Sequence, residues 1–163
     1  MILSTKGRYA VMALVDIARA SQDLPITLAT ISKRQEIPLA YLEQIFSRLK
    51  HAGIVSSVRG PGGGYKLSKH VSEITMSDIM IASDEQIKMT RCGGELSHGC
   101  MTPKTRCLTH DLWDGLGQHI HHYLRSISLA DVCEGNVKSK SDALALDMGF
   151  LTLANQGVAA INA

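Results

Sequence analysis

Apolar side chains recur at helical intervals along the first part of the chain. From Lys6 to Ala20, the residues Tyr9, Ala10, Ala13, Leu14, Ile17 and Ala18 share one face of a helical period, which predicts an amphipathic helix. Pro25 breaks that pattern, and Thr27 predicts the N-cap of a short helix carrying Leu28 and Ile31. Ile37-Pro38 predicts a turn, because the residue before a proline is pushed out of the helical region. Pro38 itself suits the first turn of the next helix, which carries Leu42, Ile45, Phe46 and Leu49 and stops at Gly53. The pattern then changes. Ile54 to Arg59 is rich in β-branched residues and predicts a strand, Gly60-Pro61-Gly62-Gly63-Gly64 a turn, and Tyr65-Lys66-Leu67 a returning strand. Thr75-Met76-Ser77-Asp78 opens a short amphipathic helix with Met76, Ile79 and Met80 on its apolar side. Farther on, Leu112, Trp113, Leu116, Ile120, Tyr123, Leu124 and Ile127 form a wide apolar stripe on a helix predicted to begin at His110. Ser128-Leu129-Ala130-Asp131 has the form of a capping box and opens a short helix on which Cys133 is a packing residue.

Two helices joined by a tight turn and followed by a strand, a glycine-rich turn and a second strand predict a winged helix-turn-helix. The expected fold class is mainly α with a small β-wing, extended by one long helix. A stripe as wide as the last one needs a partner, and a second copy of the same helix suits a protein that reads two half-sites. The expected dimer face is therefore Leu112, Trp113, Leu116, Ile120, Tyr123, Leu124 and Ile127.

Composition narrows the classes. The chain has 163 residues, 45% of them hydrophobic and 20% charged, enough to bury a core and too apolar for disorder throughout. No apolar run reaches the length of a membrane span. Met1-Ile2-Leu3-Ser4-Thr5-Lys6 lacks the basic-then-apolar run of a secretory signal, so a cytoplasmic location is expected and paired disulfides are not. The net charge of +2 conceals a split. Residues 1–70 hold ten basic and four acidic side chains, and residues 71–163 hold seven basic and eleven acidic. A basic first half is the electrostatic footprint of a phosphate-backbone partner.

On the second helix of the pair, the outward face presents Ala40, Glu43, Gln44, Ser47 and His51, with Tyr41 at its edge. Gln44 is suited to adenine edges, Glu43 to cytosine, and Tyr41 and Arg48 to backbone phosphates. Arg59 and Lys66 flank the wing tip, where a narrow minor groove attracts arginine. The glycine run is no nucleotide loop, since no Gly-Lys-Ser/Thr follows it. With Lys6, Arg8 and Gly60 added from the neighbouring segments, the expected DNA-contacting set is Lys6, Arg8, Ala40, Tyr41, Glu43, Gln44, Ser47, Arg48, Arg59 and Gly60.

The remaining chemistry is concentrated between Arg91 and His110, where Cys92, Cys100, Cys107 and His110 follow the spacing Cys-x7-Cys-x6-Cys-x2-His. The interior is rich in Gly, Ser, Thr and Pro and predicts a loop with little apolar matter to order it. A bound metal would supply the missing crosslink, and thiolates favour zinc or an iron–sulfur cluster, which the spacing leaves equally open. A nucleophilic Cys–His pair lacks a third orienting residue, and no acid–base or cofactor motif points to an enzyme. His119, His121 and His122 read as a solvated stretch of the long helix.

Three motifs are more specific than these general patterns. Ser4-Thr5-Lys6-Gly7-Arg8-Tyr9-Ala10, Tyr41-Leu42-Glu43-Gln44-Ile45-Phe46 and Val58-Arg59-Gly60-Pro61-Gly62-Gly63-Gly64-Tyr65 closely resemble the Rrf-type family of bacterial winged-helix regulators, in its iron–sulfur-sensing branch. The resemblance extends from residue 1 to about 133. It implies a homodimer on palindromic operators, with Tyr41, Glu43 and Gln44 facing bases and Arg59 entering the minor groove. It also implies a [2Fe–2S] cluster held by Cys92, Cys100, Cys107 and His110, with a cluster-assembly scaffold as a possible donor. On this basis residues 1–83 are the DNA-binding region, 84–110 the cluster-binding loop, 111–133 the dimerisation and short helices, and 134–163 a tail, disordered or folded over the dimer. The implied function is a transcription regulator, mainly a repressor, of cluster-assembly genes, with Glu43 as a specificity switch. The alternatives are a nitric-oxide- or iron-sensing regulator of the same family and a zinc-stabilised protein-interaction module.

Overall fold

The first helix, α1 (Thr5–Ala20), turns Ala10, Ala13, Leu14 and Ile17 into the core at the spacing of one helical face. The structure, a computed structural model, describes residues 4–20, 24–85, 89, 100–101, 105–138 and 140. Helix α2 (Leu28–Gln35) starts where Thr27 predicts, its hydroxyl accepting the Thr30 N–H at 3.1 Å. It ends on Glu36 in the left-handed region at φ 56°. Pro38 stands one position outside the next helix, as its N-cap rather than in its first turn. Its extended ψ of 130° bars it from the helix, while its carbonyl accepts the first helical bonds from Tyr41 and Leu42. Helix α3 (Leu39–His51) buries Leu42, Ile45, Phe46 and Leu49 and stops at Ala52. Gly53 follows at φ 71°, and the Ile54 and Gly53 amides bond back to the carbonyls of Leu49 and Lys50, a Schellman termination that requires the left-handed residue.

The wing is an antiparallel pair, β1 (Val55–Val58) and β2 (Gly64–Leu67), registered Val55 to Leu67 and Val58 to Gly64. A third partner was not legible in the pattern. Ile26 bridges to Tyr65, each amide donating to the other's carbonyl at 2.9 and 2.8 Å. This pairing explains Gly64, since a Cβ there would meet the Ile26 carbonyl oxygen at 2.4 Å. Tyr65 also packs edge-on against the fully buried Phe46, with ring centroids 4.9 Å apart, and so fastens the wing to α3.

Helix α4 (Met76–Ala82) opens with the Thr75–Asp78 capping box, and α6 (Leu129–Glu134) with the equivalent Ser128–Asp131 box. Between them runs α5 (His110–Ser126). The residues on either side of Ser128 pair with those around Thr75, with Met76 N–H bonded to the Ile127 carbonyl and Leu129 N–H to the Ile74 carbonyl, both at 2.8 Å. That pairing draws Ile127 and Leu129 into the core built by α1 and α3. Ile127 is 2% exposed and takes extended backbone beyond the end of α5, so it belongs to the core and not to the exposed stripe expected of a dimer face.

Candidate nucleic-acid interface and metal centre

Burial of Leu42, Ile45, Phe46 and Leu49 fixes the rotation of α3 and leaves Ala40, Glu43, Gln44 and Ser47 exposed together on its outer side. Arg8, Arg59 and Gly60 are exposed as well, and Lys6 is half-buried. Gly60 turns the wing tip at φ 105°. Two expected phosphate contacts are engaged within the chain. The Tyr41 hydroxyl lies 3.0 Å from Thr5 Oγ1, and its ring stands at 85° to that of Tyr9, centroids 5.6 Å apart. The Arg48 guanidinium donates to the Asp84 carboxylate at 3.0 Å and to the Ser83 carbonyl at 3.4 Å. Lys50, which the pattern did not single out, donates to Ser57 on the wing at 2.8 Å. Arg48, Lys50 and His51, with Ser47, line one wall of an open groove of about 800 Å³ beside Ile81 and Ala82. A basic cluster in the last turn of α3 was the available signal for Lys50.

The cysteine chemistry gathers at the start of α5. Cys100 and Cys107, on either side of the Met101–Thr105 bridge, face the same hollow as His110. The hollow, of about 330 Å³, is lined also by Met89, Thr109 and Trp113. Cys100 Sγ lies 3.1 Å from His110 Nδ1, and the His110 amide donates to the Cys107 carbonyl at 3.0 Å. His110 is the only buried residue of α5. The Thr109 hydroxyl, 3.5 Å from Cys107 Sγ, and the nearby Cys100 thiol hold the Cys107 thiol below its ordinary range against the opposing effect of desolvation. A lowered thiol is the better metal ligand, because the thiolate is the binding form.

Two thiols and a buried imidazole in one hollow are a donor set chemically suited to a thiophilic metal or cluster. Cys92 and His98 lie outside the described residues, and among the described residues no three His, Cys, Asp or Glu side chains surround a common ion position. Cys133, on α6, packs partly buried against the core, and burial raises its thiol. His119, His121 and His122 are exposed along α5, although His121 Nε2 reaches within 3.4 Å of Ser77 Oγ. Within α5, Leu112, Trp113, Leu116 and Tyr123 are exposed, Leu112 by 65%, while Ile120 and Leu124 are half-buried. No helix among the described residues is long and apolar enough to cross a membrane.

Comparison with known proteins agrees with this architecture. Residues 3–135 match the family model Rrf2, described as an iron-dependent transcriptional regulator. The chain is 53% identical over 132 residues to the HTH-type transcriptional regulator IscR of Photorhabdus laumondii, a match covering 81% of this chain and 79% of that one. It is 52% identical over the same length to IscR of Yersinia pseudotuberculosis. Among solved structures, IscR of T. potens superposes with a TM-score of 0.68 at 32% identity, covering 83% of this chain and 88% of that one. CymR, the global cysteine regulator of B. subtilis, superposes at 0.66 with 28% identity, covering 82% of this chain and 97% of that one. These relatives are regulators and not enzymes. The winged helix-turn-helix, the long helix behind it and the match over residues 3–135 together establish that the chain belongs to the Rrf2 family of transcriptional regulators.

Proposed function

We propose that the protein is a homodimeric, cytoplasmic repressor of iron–sulfur cluster assembly genes that senses cluster supply through a [2Fe–2S] cluster held by Cys92, Cys100, Cys107 and His110. The observation that carries this reading is the convergence of Cys100, Cys107 and buried His110 at the first turn of a helix whose exposed apolar face begins two residues later, at Leu112. Ligation and dimer geometry are therefore adjacent. When bound, the cluster crosslinks the cysteine loop to α5, and a cluster-assembly scaffold is its expected donor.

The chain's own residues do the rest. Gln44 and Glu43 present an acceptor–donor pair and a pure acceptor to base edges in the major groove. Glu43 sets operator preference, because a carboxylate desolvated against the wrong base is left without a partner. Arg59 enters the minor groove from the wing, and Lys6 and Arg8 hold phosphates beside it. His110, as a neutral imidazole ligand in place of a fourth thiolate, makes the site less negative and open to proton competition, which suits a labile sensor.

Anaerobic purification tests this directly. Wild type should be coloured, with iron and sulfide in equal amounts, and His110→Ala should show an altered visible spectrum and a shorter-lived chromophore. A colourless protein containing zinc would sink the cluster reading.

A further inference from the structure

The recognition helix α3 begins with apolar side chains that its own fold does not use. Pro38, the N-cap, is exposed and makes no side-chain hydrogen bond to the helix. Leu39 is 40% exposed and stays outside the core that Leu42, Ile45, Phe46 and Leu49 build. Ala40 is exposed beside it. The one polar side chain of this turn is Tyr41, and it faces α1. Its hydroxyl lies 3.0 Å from Thr5 Oγ1, and its ring stands edge-on to that of Tyr9. The surface that the start of α3 offers outward is therefore made of Leu39 and Ala40.

Helical spacing places each of these residues at the head of a column. Leu39 stands four residues before Glu43, and Ala40 four before Gln44, and all four are exposed. Each column thus carries an apolar group at its N-terminal end and a hydrogen-bonding group one turn later. A turn rises about 5.4 Å, the span of about one to two base-pair steps. In a helix-turn-helix it is the N-terminal part of the second helix that meets base edges. An apolar side chain set against a base edge removes water from whatever that base presents there. Guanine, adenine and cytosine present hydrogen-bonding groups and no methyl in the major groove, and these would be left without partners. Thymine alone adds a methyl group, which gains from being covered.

We infer that Leu39 and Ala40 read a thymine methyl in each half-site, about one to two base pairs from the pair that Gln44 faces, a role that rests on the proposed placing of α3 in the major groove. Specificity is then divided along the helix. Its first turn selects by apolar contact, and Glu43 and Gln44 select by hydrogen bonding one turn later. Because the apolar contact uses no charge, it contributes to the choice of duplex without adding to the salt dependence of binding.

The test uses the full-length protein and a palindromic duplex that the wild type selects from a random pool. Each thymine is replaced in turn by uracil, symmetrically in both half-sites, which removes the methyl and keeps every hydrogen-bonding group. At one thymine per half-site, uracil should lower wild-type affinity by about 5-fold or more. Cytosine at that position should bind weakly, and 5-methylcytosine, which restores the methyl, should regain part of the loss. The double variant Leu39→Gln, Ala40→Ser, with its helical content checked by circular dichroism, should bind the thymine and uracil duplexes alike. Uracil tolerated by the wild type at every position would overturn the inference and leave the proposed function standing. So would a uracil effect of wild-type size in the double variant, since the methyl would then be read by other residues. A wild type that selects no duplex sequence at all would overturn both.

Discussion

Asp131 illustrates how one side chain serves two local tasks. Its carboxylate accepts the Ser128 amide at 2.8 Å as the third residue of the α6 capping box, and it takes the Lys140 ammonium at 2.7 Å. Burial is the largest single influence and pushes its carboxyl upward, but Lys140 and the Ser128 donors outweigh it and bring the value down to about 2 from 3.8. A depressed acid pKa stabilises the folded state above its unfolded value. That contribution is lost as pH falls from about 4 through 2. Asp131→Asn should therefore cost about 1–2 kcal/mol near neutrality, discounted for the exposed Lys140, and should flatten the stability profile in that acid window. Denaturant unfolding at pH 7 and across the acid range checks both parts. The capping box was legible from Ser128 and Asp131 three residues apart, whereas Lys140 was not, because nothing local ties it to the box.

At the scale of elements, helix starts and the wing followed from short-range chemistry. Thr27, Thr75 and Ser128 each cap the helix that their position predicts, since an N-cap needs only a side-chain oxygen and the amides of the next turn. The wing adds a division of labour that binding measurements separate. Arg59→Ala should weaken binding to all duplexes and reduce the salt dependence by about one counterion. Glu43→Ala, on α3, should change the preference between duplexes with little change in that slope. Equal salt slopes for Arg59→Ala and wild type would remove Arg59 from the DNA-contacting set, and an unaltered base preference in Glu43→Ala would remove Glu43 as the switch. The Ile26–Tyr65 bridge belongs to the same scale but escaped the pattern, because Ile26 is a single paired residue in an irregular segment.

For the whole molecule the decisive element is α5. Seventeen residues long and strongly two-faced, it leaves every apolar side chain of its own at least partly exposed: Leu124 packs half-buried against the core, and His110 alone is fully buried. Leu112, Trp113 and Leu116 exposed in sequence on one side form a contiguous apolar patch of the kind that a partner surface covers. Paired Trp113→Glu and Leu116→Glu substitutions should yield a monomer of unchanged helical content in sedimentation and circular dichroism, with operator affinity reduced by at least about 10-fold. A variant that stays dimeric would move the interface elsewhere. Ile127 does not belong to that patch: the pairing of its backbone with Met76 closes it into the core.

The sequence by itself determined the period of each helix, the caps that start them, the glycine-rich wing and the concentration of thiols before α5. Each of these depends on residues within a turn or two of one another, where side-chain type and spacing decide the outcome. Tertiary structure alone decided the fate of Ile127, the third partner of the wing and the engagement of Tyr41 and Arg48. It also brought Asp84 to Arg48 in the second half of α3 and Glu85 to Ser4 at the start of α1. Those contacts join residues between 35 and 81 positions apart along the chain. They exist because packing of α1, α3 and α4 around one core brings the segments together, and no local pattern encodes which exposed polar groups will then meet.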